Sequence, residues 1–239
     1  MSGISNQLSL VCKATLAKQF PVEVVLLLSL LVSLLTLPAF GQTFNTSTDF
    51  SIDNGNPNGT WSYGYETSLG GTLNLYDVTS DGANASYWNS SVIDVAQTPS
   101  DYKVTGAGNP YGSPGDTIFH PGPDDEISVY RWTAPSSESI DINAIFQGRD
   151  GGGSIVDVLH DGTTLFNADV NGTGDTHDYD GTTSVASGDT IDFAVGLLSG
   201  FGYNSTYVDG TITVAPEPST LALSALGSIG GLLMFRRRK

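Results

Sequence analysis

Between Ile140 and Phe146 the chain alternates at every residue. Ile140, Ile142, Ala144 and Phe146 are separated by Asp141, Asn143 and Ile145. A repeat of two is the geometry of a strand with one face buried, because successive side chains leave a pleated backbone on opposite sides. A helix would bury every third or fourth residue instead. This stretch commits its part of the chain to a sheet, and shorter copies of the pattern recur on both sides of it.

Ile127, Val129 and Arg131 share one face of another such strand, with Ser128, Tyr130 and Trp132 on the other. Ile191, Phe193 and Val195 alternate in a third, and Thr60–Tyr65, Thr72–Tyr76, Tyr87–Val95 and Thr211–Val214 are further strand candidates. Ile155–His160 and Thr163–Asn167 flank Asp161-Gly162, the dipeptide of a type I′ hairpin turn. Residues 97–116 hold three prolines and four glycines and read as a long loop. Nothing from 43 to 214 keeps a helical period over three turns. About nine or ten strands at this spacing predict an all-β, jelly-roll-type antiparallel β-sandwich.

Cys12 is the only cysteine, so the expected sandwich must hold without disulfides or thiolate-bound metal. All but two of the 25 acidic residues (Glu23 and Glu217) lie between 43 and 214, where Lys103, Arg131 and Arg149 are the only Lys or Arg residues. Such a surface repels phosphate backbones, which excludes nucleic acid as a partner.

The termini read differently from the middle. Residues 1–41 have the form of a signal peptide: Lys13 and Lys18, an apolar run from Val24 to Leu37, then Ala39-Phe40-Gly41 as a cleavage site for signal peptidase. At the other end Pro216-Glu217-Pro218 is a stiff, extended spacer. An uncharged stretch from Ser219 to Phe235 follows, short for a transmembrane helix, which needs about 20 residues. Arg236, Arg237, Arg238 and Lys239 then form a basic stop that stays cytoplasmic. The organisation expected is signal peptide 1–41, β-sandwich 42–214 and sorting signal 215–239.

Pro216-Glu217-Pro218, the apolar run and the Arg cluster together resemble the PEP-CTERM sorting signal of Gram-negative bacteria. The resemblance covers residues 215–239. It implies recognition by a membrane-embedded exosortase, transient anchoring in the inner membrane, and release to the cell surface or extracellular matrix. The middle of the chain resembles secreted carbohydrate-binding modules of jelly-roll type. The similarity lies in His120-Pro121-Gly122-Pro123, Val129-Tyr130-Arg131-Trp132-Thr133-Ala134-Pro135, Val158-Leu159-His160-Asp161-Gly162 and Gly188-Asp189-Thr190-Ile191-Asp192-Phe193-Ala194-Val195-Gly196. This implies a non-enzymatic, structural or adhesive protein in contact with extracellular polysaccharide.

Several residue sets could carry chemistry. A glycan platform needs exposed flat rings, and Trp61, Tyr63, Tyr65 and Trp88 are the first candidates, with Tyr87, Tyr102 and Tyr111 behind them. Calcium takes carboxylate and carbonyl oxygens in loops. Asp175, Asp178 and Asp180, packed into one turn-like segment, are its first candidate ligands. No cofactor is expected besides this ion. The histidines, His120, His160 and His177, are too scattered for a metal motif. The alternative function is a polysaccharide-acting enzyme with paired carboxylates, drawn from Asp141, Asp157, Asp192, Glu66, Glu126 and Glu138.

Overall fold

A computed structural model describes residues 41–91 and 99–214. The signal peptide, the Pro216-Glu217-Pro218 motif, the apolar run and the basic stop at Arg236, Arg237, Arg238 and Lys239 therefore lie outside the described residues, Gly41 excepted. The described residues belong to one compact unit. No helix among the described residues is long and apolar enough to cross a membrane.

Fourteen strands build the unit: β1 (Thr43–Asn45), β2 (Trp61–Glu66), β3 (Asn74–Leu75), β4 (Val78–Asp81), β5 (Ala85–Asn89), β6 (Ser100–Val104), β7 (Thr117–His120), β8 (Ile127–Thr133), β9 (Glu138–Gly148), β10 (Ser154–His160), β11 (Thr163–Val170), β12 (Thr176–Val185), β13 (Thr190–Leu197) and β14 (Thr206–Val214). They pair antiparallel in two sheets. The larger runs β12-β9-β14-β7-β6-β5-β4, with β1 also on β14. The smaller runs β11-β10-β13-β8-β2-β3. The all-β sandwich is as expected, with no helix among the described residues.

The core lies between the sheets. Ile140, Ile142, Ala144 and Phe146 of β9 enter it from one side and Val156, Val158, Ile191, Phe193 and Val195 from the other. Aromatic rings fill the middle: Tyr63 meets Tyr130 edge-on at 4.5 Å between centroids, and Trp61 meets Tyr130 edge-on at 5.0 Å. On the Asp161-Gly162 turn both residues have positive φ, 48° and 73°, as a type I′ turn requires.

Three local expectations change. The loop expected at 97–116 contains β6. Pro99, Pro110 and Pro114 flank this strand rather than interrupt it, so they leave its ladder intact. The turn-like segment with Asp175, Asp178 and Asp180 is mostly β12, ten residues paired with Glu138 to Gln147 of β9. Its outward positions are all polar and its inward ones are His177, Tyr179, Gly181, Thr183 and Val185, so no hydrophobic run announced it. The strand expected at Thr72–Tyr76 shrinks to the two residues of β3.

Candidate functional site

Alternation places every strand residue on the core side or the outer side of its sheet, and this sorts the candidate residues. Trp61, Tyr63 and Trp88 point into the core and are buried, as corrections to their expected role as a platform. A ring needs an open face to stack on a sugar. Their polar atoms are also engaged inside: Trp61 Nε1 donates to Asp49 Oδ2 at 3.0 Å, and Trp88 Nε1 donates to the Ser51 carbonyl at 2.9 Å. Tyr65 is half-buried and stacks on Tyr76.

The outer face of the larger sheet carries a different set of rings. The registers of β4, β5, β6, β7, β14, β9 and β12 line up one row across it: Ser80, Tyr87, Tyr102, Ile118, Tyr207, Gln147 and Thr176. Tyr87 and Tyr102 pack at 4.7 Å, and Tyr102, Val104, Ala85 and Ile118 form a small second core with half-buried Tyr87, Tyr111 and Tyr207. Burial pushes the phenols of Tyr87, Tyr102 and Tyr207 upward, so they stay protonated as hydrogen-bond donors.

At one end of this row three connections meet: β6 to β7, β9 to β10, and β11 to β12. Between them opens a cleft of about 410 Å³, lined among others by Asn109, Tyr111, Gln147, Gly148, Arg149 and Thr173. Gly148 lets the walls approach, since a Cβ there would stand 2.1 Å from the Gly172 carbonyl oxygen. Asn109 Oδ1 accepts the Tyr111 N–H at 2.9 Å and pins that ring's backbone. Gln147 Nε2 donates to Thr176 Oγ1 at 2.9 Å.

Arg149 is the cation of the cleft. Its guanidinium lies over the Tyr207 ring at 4.5 Å, a cation–π contact, and one terminal nitrogen donates to Asp116 Oδ2 at 3.1 Å. Its Nε has no partner although it is buried. The chain then turns through Gly152, whose N–H donates to the Tyr203 carbonyl at 2.6 Å. Tyr203 is 74% exposed and sits at φ 63°, a conformation bulky residues rarely adopt. It is held there because Asn204 Oδ1 accepts from Gly202 N and Asn204 Nδ2 donates to the Gly153 carbonyl. Strained, well-supported backbone of this kind concentrates at binding sites. Tyr207 and Tyr203 carried no periodic signal that set them apart in the sequence.

The carboxylates fall into engaged groups. Arg131 clamps Asp192 with two bonds of 2.6 and 2.7 Å and reaches Glu66 at 2.9 Å, on the outer face of the smaller sheet. Burial raises the pKa of both acids, with each one's other neighbours secondary. Asp157 accepts from Asn167 Nδ2 at 2.9 Å, Asp141 from Thr182 Oγ1 at 2.7 Å, Glu126 from the Asp124 N–H at 2.9 Å, and Glu138 from Ser136 at 3.2 Å. Asp101 is buried between the sheets, where Oδ1 accepts from Ser128 and Oδ2 has no partner; burial drives its pKa well up.

Asp178 and Asp180 project outward from β12, while Asp175 stands in the preceding turn and accepts the Asn171 N–H at 2.7 Å. The three do not converge on a common point. Among the described residues one group of His and carboxylate atoms does: His160, Asp161 and Asp189.

No curated protein matches the chain in sequence. Among solved structures it is similar to a family 35 carbohydrate binding module from Clostridium thermocellum, at 13% identity and a TM-score of 0.31, over 56% of this chain and 95% of that one. It is also similar to a family 35 module from an environmental isolate, at 12% identity and a TM-score of 0.31, over 65% and 93% of the two chains. A third is TmCBM61 in complex with beta-1,4-galactotriose, at 14% identity and a TM-score of 0.32, over 56% and 90%. Residues 214–239 match the PEP-CTERM protein-sorting motif, so the chain carries at its C-terminal end the signal of an exported, exosortase-sorted protein.

Proposed function

We propose that this is a non-enzymatic surface or matrix protein that binds extracellular polysaccharide in the cleft at Tyr111 and Arg149. The observation that carries the reading is the composition of that cleft. It joins an aromatic ring, two carboxamides, a hydroxyl and a guanidinium, and exposed Tyr203 is tied through its carbonyl to Gly152 of the connection that carries Arg149. A sugar ring offers apolar C–H faces and a rim of hydroxyls, and this mixture answers both.

The sorting motif supports a matching itinerary. Signal peptidase removes residues 1–41, residues 219–239 hold the chain in the inner membrane of a Gram-negative cell, and exosortase cuts near Pro216-Glu217-Pro218. The sandwich is then released to adhere at the surface. A hydrolase reading gains little by comparison. Glu66 and Asp192 share a site, as paired catalytic carboxylates do, but Arg131 occupies the space between them.

The exported protein, probed on immobilised bacterial polysaccharides and a glycan array, should retain at least one glycan class. Arg149→Ala and Tyr203→Ala should each weaken that retention. A flat array, or binding indifferent to both substitutions, would overturn the reading. Deleting exosortase from the host should leave the C-terminal tail uncut and the protein in the inner membrane.

A further inference from the structure

His160 ends β10, Asp161 opens the hairpin turn after it, and Asp189 lies in the connection that leads into β13. Pairing of β10 with β13 sets His160 opposite Ile191, which brings together residues far apart in the chain. His160 Nε2 then faces Asp189 Oδ2 at 3.4 Å and Asp161 Oδ2 at 3.9 Å. The three ligand atoms lie within 4.8 Å of one another.

The 3.4 Å contact is a long hydrogen bond that also matches an edge of a metal coordination shell, and the 3.9 Å contact is a few tenths longer than one. Charge-assisted N–H···O bonds close to about 2.7–2.9 Å, and both distances here are longer. Zinc binds nitrogen and carboxylate oxygen at about 2.0–2.2 Å in a tetrahedron, whose ligand–ligand edges are then roughly 3.3–3.6 Å. Both carboxylates are held by local hydrogen bonds, Asp161 through the oxygen that faces away from His160 and Asp189 through the oxygen that faces it. Asp189 Oδ2 accepts the Ala186 N–H at 2.8 Å, and Asp161 Oδ1 accepts the Thr190 N–H at 2.8 Å and its hydroxyl at 3.3 Å. His160 is 21% exposed and Asp189 27%, so an ion can enter and a water can complete its shell. The imidazole sets this cluster apart from the many acidic turns on the surface, because it favours a transition metal over calcium.

We infer that His160, Asp161 and Asp189 form a binding site for a divalent transition metal of the zinc type, which ties the β10–β11 turn to the start of β13. The site is separate from the Tyr111–Arg149 cleft and does not depend on the polysaccharide reading. It supplies in a cysteine-free domain the cross-link that a disulfide would otherwise provide.

Zinc titrated into the chelator-treated exported protein should bind in equimolar amount by calorimetry. With free zinc about 100-fold above its dissociation constant, Tm should rise by roughly 5–10 °C. Cobalt(II) should give the intense visible bands of a tetrahedral site on the unaltered protein. His160→Gln and Asp189→Asn should abolish both effects while their metal-free Tm stays near that of the parent. Should either variant fail to fold, Asp161→Asn, whose Oδ1 can still accept from Thr190, should weaken zinc binding at least tenfold. The inference falls if zinc does not bind, if binding survives these substitutions, or if calcium stabilises as much as zinc.

Discussion

The two outer faces of the sandwich each hold one arginine, and they use it in opposite ways. On the smaller sheet Arg131 spends its donors on Asp192 and Glu66, both buried to 1% exposure. Val129, Leu159 and Ala194 pack close by, with Leu73 and Ile127 laid over them. On the larger sheet Arg149 makes one bond to Asp116, leans on Tyr207 and lines an open cleft, with its Nε buried and unpartnered. An arginine whose hydrogen bonds close within the protein is structural. One that lines a cleft and makes a single ion pair can turn to something outside. The difference lies in the local covering: the chain before and within β3 folds over one face, while three loops part above the other.

The comparison breaks most sharply at the core and at Arg131. Trp61→Ala should cost about 3–5 kcal/mol in chemical denaturation, through lost burial and an unfilled cavity, and leave glycan affinity of the folded fraction unchanged. A selective loss of affinity would return Trp61 to the binding surface. Arg131→Ala should cost about 3–5 kcal/mol as well, because it strands two buried carboxylates. That deficit should shrink in acid, where Glu66 and Asp192 can take up protons.

Arg149→Ala sharpens the other side. Removing a charged hydrogen-bond donor should lower glycan affinity by about 10–100-fold, and stability should fall by no more than about 1 kcal/mol. Denaturation and affinity electrophoresis on one preparation separate the two effects. If Arg149→Ala unfolds the protein as Arg131→Ala does, the distinction between the faces fails.

Asp101→Asn gives a smaller effect with a defined sign. Asp101, Glu66 and Asp192 all have folded-state pKa values raised by burial, so the native state binds more protons than the unfolded chain. Their contribution to stability therefore falls as pH rises from the ordinary carboxylate range through the raised values, and it returns on acidification. Asp101→Asn should flatten part of this slope and add about 1 kcal/mol at neutral pH. Denaturant midpoints across the acidic range measure it, and an unchanged slope would mean that Asp101 titrates normally.

What could be read in advance follows from range. The faces of β8 and β9, the Asp161-Gly162 turn and the two-sheet class depend on a few neighbouring residues, so periodicity and turn chemistry disclosed them. β12 escaped because its polar residues alternate with a mixed set, His177, Tyr179, Gly181, Thr183 and Val185. The platform residues were misplaced because an aromatic residue in a strand looks the same whichever side it faces. Trp61 and Trp88 went inward while Tyr87 and Tyr102, with the same kind of neighbours, went outward.

The chain by itself determined an acidic, disulfide-free β-sandwich and its Pro216-Glu217-Pro218 address, since composition, local alternation and a linear motif need no partner from elsewhere. The tertiary structure decided which rings meet solvent, which arginine lines a cleft, and that His160 stands against Asp189. Those outcomes depend on strand register, which is set by the burial of whole faces at once and belongs to no single stretch of sequence.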